Sequence, residues 1–232
     1  LLDLDTFVTP VVFKPETIPA EQDFQLGEYE GETLSREINT RFPDEGVANT
    51  EVVDFESEGN TLYGVLLWES VRNGPTILYC HGNTKHLDHY WARAKLLYET
   101  GYNVFLFDYR GFGKSEGTIT EEGMLADAYA ALEYLVENVD VSRSDILLYG
   151  FSIGTVPATE LAANADMDGC LGLVLEAPVG SAEIYAQDAT YLPLPDSFLT
   201  EYDLDNASKI KDVQTKLLWL HGTEDSMNKY DT

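Results

Sequence analysis

Positive charge is what this chain has least of. Its 232 residues carry 14 Lys and Arg against 41 Asp and Glu, a formal net charge of −27. Phosphate contacts require clustered Lys and Arg, which argues against nucleic acid as a partner, and an anionic membrane surface would repel the chain for the same reason. The acidic surface reads instead as a solubility device that keeps the protein monomeric. Long apolar runs are also lacking. None exceeds about ten residues, half of what a bilayer-spanning helix needs, so direct membrane insertion by this chain is not expected. No signal peptide is recognisable, and a start at Leu1 without methionine reads as a trimmed or processed end.

Cysteine is scarce as well. Cys80 and Cys170 both fall in apolar runs that read as buried strands, taken to lie two strands apart in one sheet. Neighbouring strands sit about 4.8 Å apart, which puts the two Cα atoms near 10 Å. A disulfide needs less than about 7 Å. Core thiols are expected.

What is present is a strong strand–helix alternation. Residues 1–48, rich in Pro, Thr and Glu, read as an extended N-terminal arm with one apolar cluster at Phe7, Val11, Val12 and Phe13. From residue 49 the pattern sharpens into one domain running to residue 232. Residues 51–56 and 61–68 alternate as a hairpin about Glu58-Gly59-Asn60. Continuous apolar runs at 76–80, 103–107, 145–149, 171–175 and 216–220 read as strands buried on both faces. Between them, helices are expected over 87–98, stopped by Gly101, and from a Thr120 cap to about residue 138. Such an order implies a mostly parallel, doubly wound α/β sheet led by an antiparallel hairpin. Ligand sites in these sheets lie beyond the carboxyl ends of the strands, so the loops after Cys80, Phe107, Gly150 and Leu220 are the ones to search.

The loop at Gly150 carries the clearest signal. An apolar run enters Gly150-Phe151-Ser152-Ile153-Gly154 and passes directly into a segment of helical composition, 155–163. By chance, a chain this long should contain about 0.1 Gly-x-Ser-x-Gly pentapeptides. The context is that of a nucleophile elbow, where a tight turn lifts a serine hydroxyl above the sheet edge, and the two glycines let strand and helix approach. Ser152 is therefore the candidate nucleophile.

His81-Gly82-Asn83 follows the earlier strand, and the backbone amides of Asn83 and Ile153 are the candidate oxyanion hole. His81 reads as an orienting hydrogen-bond residue rather than a base. The stretch from Asp108 to Gly117 is glycine-rich but lacks the Gly-x-x-x-x-Gly-Lys-Ser/Thr phosphate spacing. It reads as a structural rim loop with Ser115 as a turn residue. No cofactor and no metal are expected. After the last strand, His221-Gly222-Thr223-Glu224-Asp225 offers a carboxylate downstream of the serine, the chain order Ser…Asp/Glu…His. Asp225 is the candidate acid, with Glu224 and Glu176 as lesser alternatives.

A base is the missing member. The four histidines, His81, His86, His89 and His221, all precede Asp225, and His86 or His89 would have to swing across to serve. A serine without a base is a weak nucleophile. The run at 216–220 also reads as an interior strand with nothing after it to pair, and native proteins avoid such bare edges. The expectation is a natural protein that continues, adding a strand, a loop with the catalytic histidine and a closing helix.

Taken together, the His81-Gly82-Asn83, Asp108-Tyr109-Arg110-Gly111-Phe112-Gly113, Gly150-to-Pro157 and His221-to-Asp225 motifs resemble those of the α/β-hydrolase superfamily from about residue 51 onward. Within it the chain is most similar to bacterial hydrolase lipoproteins and eukaryotic protein-depalmitoylating thioesterases. The resemblance implies strand order 1-2-4-3-5-6-7-8, truncated before the last strand. It implies Ser152 as nucleophile, Asp225 as acid, and Asn83 and Ile153 as oxyanion donors. A segment at 179–214, with Tyr185, Tyr191, Leu192, Leu194, Phe198, Leu199 and Tyr202 broken by Pro193 and Pro195, stands where the superfamily inserts a lid, and would suit an apolar acyl group. A plain crossover with its own small core is the alternative. The expected activity is hydrolysis of carboxylic esters or thioesters through an acyl-serine, with a non-catalytic binding protein or a serine peptidase as alternatives. Export, into a periplasm or on a lipid tether, is the compartment the resemblance suggests, with the cytoplasm as the alternative.

Overall fold

The structure is a computed structural model that describes residues 13–24, 49–167, 169–181 and 202–225. In chain order its strands are β1 (Lys14–Pro15), β2 (Asn49–Ser57), β3 (Asn60–Trp68), β4 (Thr76–Cys80), β5 (Thr84–Lys85), β6 (Asn103–Phe107), β7 (Ile146–Phe151), β8 (Gly172–Glu176) and β9 (Leu217–Leu220). The helices are α1 (Leu87–Tyr98), α2 (Glu121–Glu137), α3 (Thr155–Asn164) and the single turn α4 (Asn206–Lys209). Seven strands form one sheet in the order β2-β3-β6-β4-β7-β8-β9. The β2–β3 and β3–β6 pairs are antiparallel and all others parallel.

Local chemistry explains the elements. The hairpin turns on Glu58 (φ +48°) and Gly59 (φ +83°), the two left-handed residues that a type I′ loop needs to match strand twist. Helix α2 starts at Thr120, whose side chain accepts from the Gly123 amide, satisfying one orphan donor of the first turn. Gly101, at φ +90°, ends the α1 region in a conformation that costs glycine little.

The central strands are buried along both faces, as their continuous apolar runs predict. Alternate residues separate into two cores. Leu78 and Cys80 of β4 and Phe105 and Phe107 of β6 join Met124, Leu132 and Leu161 on the α2 and α3 side. Ile77, Tyr79, Val104 and Leu106 face Tyr90, Trp91 and Ala94 of α1 on the other. The period-2 geometry of the strands produces this division. Among the described residues β9 is the sheet's edge, and its four apolar side chains are 42–54% exposed.

The cysteine expectation needs one correction. Cys80 ends β4, but Cys170 is not in a strand. It precedes β8, its amide bonded to Met167 O, and so sits at the opposite end of the sheet from Cys80. Both thiols are free and buried, and burial pushes Cys80 up to about 12.

Two segments outside the sheet are tied to its carboxyl end. The arm stretch 13–18 runs between two loops, β1 pairing in parallel with β5. Tyr202 and Leu204, both buried, lead into α4. There the Glu121 carboxylate accepts from the Asp203 and Leu204 amides, each at 2.8 Å. Burial raises the Glu121 carboxyl above its ordinary value of 4.5, outweighing the lowering effect of the Leu204 and Asp203 amides. A carboxyl raised on folding holds its proton more tightly in the folded chain. The stability it contributes is therefore present below pH 4.5 and is lost as pH rises through the folded value. Glu121→Gln removes this titration, so in urea unfolding it should destabilise more at pH 4 than at pH 7, within roughly 1 kcal/mol of difference.

Candidate active site

Strand β7 ends at Phe151, a 3-10 turn spans Ser152–Gly154, and α3 begins at Thr155. Ser152 has φ +54°, the left-handed region that costs a non-glycine residue about 1 kcal/mol or more. The surrounding structure holds it there. A Cβ on Gly150 would stand 2.5 Å from Thr155 Cα, and one on Gly154 would stand 2.1 Å from Cys80 O and 2.5 Å from His81 O. The start of α3 is thus pressed directly onto the end of β4, bringing the Ile153 amide beside the 81–83 loop. The Thr155 hydroxyl, fully buried, donates to Ser152 O at 2.6 Å and accepts from Val179 N and Asn206 Nδ2. Ser152 itself is partly exposed, and among the described residues no hydrogen bond engages its Oγ.

The 81–85 loop is braced on every side. His81 is fully buried, its ring stacked on Tyr90 and tilted against Tyr109. Its Nδ1 lies 2.7 Å from Gly82 O, and because a carbonyl only accepts, Nδ1 carries the proton. Nε2 lies 3.3 Å from Asp108 Oδ1, which also accepts from the Leu87 amide at 2.7 Å. Tyr109 Oη donates to His81 O at 3.1 Å. Gly82 packs so closely on Tyr90 and Phe151 that a Cβ there would meet the Tyr90 hydroxyl at 2.8 Å.

The rim loop after β6 is fixed by an ion pair. Arg110 reaches Asp127 of α2 through its backbone amide (2.7 Å), Nε (3.0 Å) and Nη2 (2.7 Å). Ser115 Oγ donates to Asp108 O and accepts from Tyr63 N, closing the loop back onto the sheet.

The acidic candidates stand at the same end. Asp225 Oδ2 is 3.9 Å from His221 Nε2, in the loop after β9, two strands from β7. Strand spacing makes that separation about 10 Å, room for an imidazole between the loops. Glu224 is exposed. Glu176 ends β8 and is engaged elsewhere, by Arg93 at 2.8 Å and by the Tyr149 hydroxyl. Burial, with the Glu176 carboxylate beside it, pushes the Tyr149 hydroxyl far up, so it remains the donor of that pair.

A scan against protein families matches residues 75–229 to the alpha/beta hydrolase fold. The chain belongs to the alpha/beta hydrolase fold family. Among curated relatives, YfhR of Escherichia coli strain K12 is 31% identical over 185 residues, covering 76% of this chain and 63% of that protein. The present chain thus spans less than two thirds of that relative's length. Protein bem46 of Schizosaccharomyces pombe is 31% identical over 219 residues, covering 91% of this chain and 70% of its own. Among solved structures, the Pyrococcus furiosus esterase Pf2001 superposes with a TM-score of 0.65 at 18% identity, covering 95% of this chain and 80% of that one.

Within this hydrolase fold the structure gathers Ser152, the Ile153 amide and the 81–83 loop at one point. His86 and His89 lie at the start of α1, and both are buried. The proposed lid, 179–214, falls mostly on residues 182–201, outside the described residues, and only its two ends, 179–181 and 202–214, are described. Sequence reasoning missed three supports: Asp108 beneath His81, Asp127 beneath Arg110, and the Thr155–Asn206 link. Only Asp108 left a signal, a carboxylate directly after a strand at the searched edge.

Proposed function

We propose that this chain is the catalytic domain of a serine hydrolase cleaving carboxylic esters or thioesters. The Ser152 hydroxyl attacks the acyl carbon and passes its proton to a histidine, and the alcohol or thiol leaves with that proton. Water then attacks the acyl-serine, releases the carboxylic acid and regenerates Ser152. The amides of Asn83 and Ile153 stabilise the tetrahedral oxyanion. Asp225 orients the imidazole, supplied by a histidine outside these 232 residues. His81 is fully buried and already committed through Nδ1 to Gly82 O.

One observation carries the reading. Ser152 stands at φ +54° on a strand-to-helix turn whose Gly154 touches the carbonyls of Cys80 and His81. A backbone cost of this kind is retained where the placement of a side chain matters. The esterase name borne by a fold neighbour agrees with the class.

The test is a fluorophosphonate probe on the full-length natural protein. Labelling is expected, and Ser152→Ala should abolish it. An unlabelled wild-type protein would favour a non-catalytic member using the same cleft for binding. Nitrophenyl esters of increasing acyl length would then define the substrate range.

A further inference from the structure

The arm stretch 13–18 lies outside the seven-stranded sheet, between the 81–85 loop and the loop after β6. Lys14 N donates to Asn83 O at 2.7 Å, and Glu16 N donates to Lys85 O at 3.3 Å. On the opposite side Gly113 N donates to Glu16 O at 2.9 Å and Ile18 N to Gly113 O at 2.7 Å. The arm is therefore stitched by its backbone to both rim loops. It is anchored by Phe13, 1% exposed, packed edge-on against Tyr202 with ring centroids 5.8 Å apart.

One of those bonds falls on the oxyanion residue. The Asn83 N–H lies in the peptide plane that also carries Gly82 O, and the next plane, hinged to it at the Asn83 Cα, carries Asn83 O. The plane carrying Gly82 O and Asn83 N is held by His81 Nδ1, and the plane carrying Asn83 O is held by Lys14 N. We propose that the main-chain amide of Lys14 is a positioning group for the oxyanion hole, anchoring the loop at Asn83 O so that the Asn83 Cα hinge, and the N–H on its other side, stay in place facing the developing charge. The inference rests on the serine hydrolase reading above. A donor that must be aimed before the charge appears is worth more when it cannot turn, and a strand pairing from a remote part of the chain supplies that restraint. The Lys14 side chain is exposed, so the role belongs to the backbone.

This separation makes the test clean. Lys14 precedes Pro15 and is already confined to extended backbone, a region that includes proline's own φ. Lys14→Pro thus removes the N–H with little change in local shape. Glu16→Pro removes the neighbouring ladder donor, which bonds Lys85 rather than Asn83, and with it the Glu16–Lys85 ion pair; Glu16→Gln alongside it isolates the side chain's part, and the two together serve as the control. In the full-length protein, Lys14→Pro should lower kcat about tenfold with KM nearly unchanged. Affinity for a boronic acid, which forms a tetrahedral anion on serine, should fall in parallel, and the two Glu16 variants should leave both near wild type. Equal losses in the two proline variants, or a wild-type kcat in Lys14→Pro, would overturn the proposal. Should Lys14→Pro not melt cooperatively, the wild-type protein still answers. Linkage requires that an oxyanion in the hole strengthen the Lys14 bond, so Lys14 amide exchange should slow in the phosphonylated enzyme, and unchanged exchange would overturn the role. A wild-type protein that neither labels nor turns over ester removes the hydrolase reading and this inference together. An active wild type with an unaffected Lys14→Pro removes this inference alone.

Discussion

Gly154→Ala is expected to cost about 3–5 kcal/mol of stability, a drop in Tm of roughly 10 °C for a domain of this size. The conformation is not the obstacle, because Gly154 sits at φ −63° and ψ −12°, ordinary helical values. Space is. The added Cβ would stand 2.1 Å from Cys80 O, 2.5 Å from Cys80 C and 2.5 Å from His81 O. All three are backbone atoms at the end of a buried strand, so no rotamer change relieves the clash. Either α3 is displaced from the sheet or the 81–83 loop moves away, and each outcome separates the Ile153 amide from the Asn83 amide. Thermal unfolding should therefore be accompanied by slower fluorophosphonate labelling at Ser152 even well below Tm. Gly59→Ala provides the contrast. Its Cβ meets nothing within 4 Å but its φ is +83°, so it should cost only about 1 kcal/mol, from backbone strain alone. A Gly154→Ala protein with wild-type Tm would mean that the close approach of α3 to β4 is not a feature of the native chain.

The difference between those two glycines also shows what a sequence reveals of such a site. Continuous apolar runs identified β4, β6 and β7 because burial on both faces leaves an unmistakable pattern. The Gly-x-Ser-x-Gly spacing identified the elbow because only small residues fit a strand and a helix in contact. These are local demands, written within five or ten residues. Asp127 and Arg110 lie 17 positions apart, and Lys14 and Asn83 nearly 70 apart. Neither pair leaves a mark, since an Asp inside a helix or an extended arm residue is compatible with plain solvent exposure. Cys170 was misplaced for a related reason. The apolar run around it continues without a break into β8, and only the turn bonded to Met167 O shows that the strand begins two residues later. In an acidic chain the same limit applies to carboxylates. Glu176, Glu224 and Asp225 look alike in sequence, and what distinguishes them is that Arg93 and Tyr149 occupy the first while the second is exposed.

Asp127→Ala should destabilise the chain by about 3 kcal/mol, because it strands a cation rather than because it deletes an attraction. Asp127 is wholly buried and takes three donors from Arg110, whose exposure is 9%. Gly123 makes the pocket for this side chain, since a Cβ at that position would come within 2.5 Å of Arg110 Cδ. With the carboxylate gone, the guanidinium keeps only Ser57 Oγ and the Glu58 carboxylate. Glu58 is 65% exposed at its side chain, so its pairing is screened by water, and Glu58→Ala should cost under about 1 kcal/mol. Urea unfolding of the two variants separates these cases. The double variant Arg110→Leu/Asp127→Leu should recover much of the loss, since removing both charges leaves no uncompensated ion. Equal small effects from Asp127→Ala and Glu58→Ala would show that Arg110 is solvated rather than held. The consequence reaches the Ser152 end of the sheet through the backbone. Arg110 N is itself one of the Asp127 donors, and Asp108, two residues earlier, accepts from the Leu87 amide beside His81, while Gly113, three residues later, carries the arm. Loss of Asp127 should therefore slow labelling at Ser152 under conditions where the chain is still folded, a link between a buried ion pair and the aim of an amide on the far side of the loop.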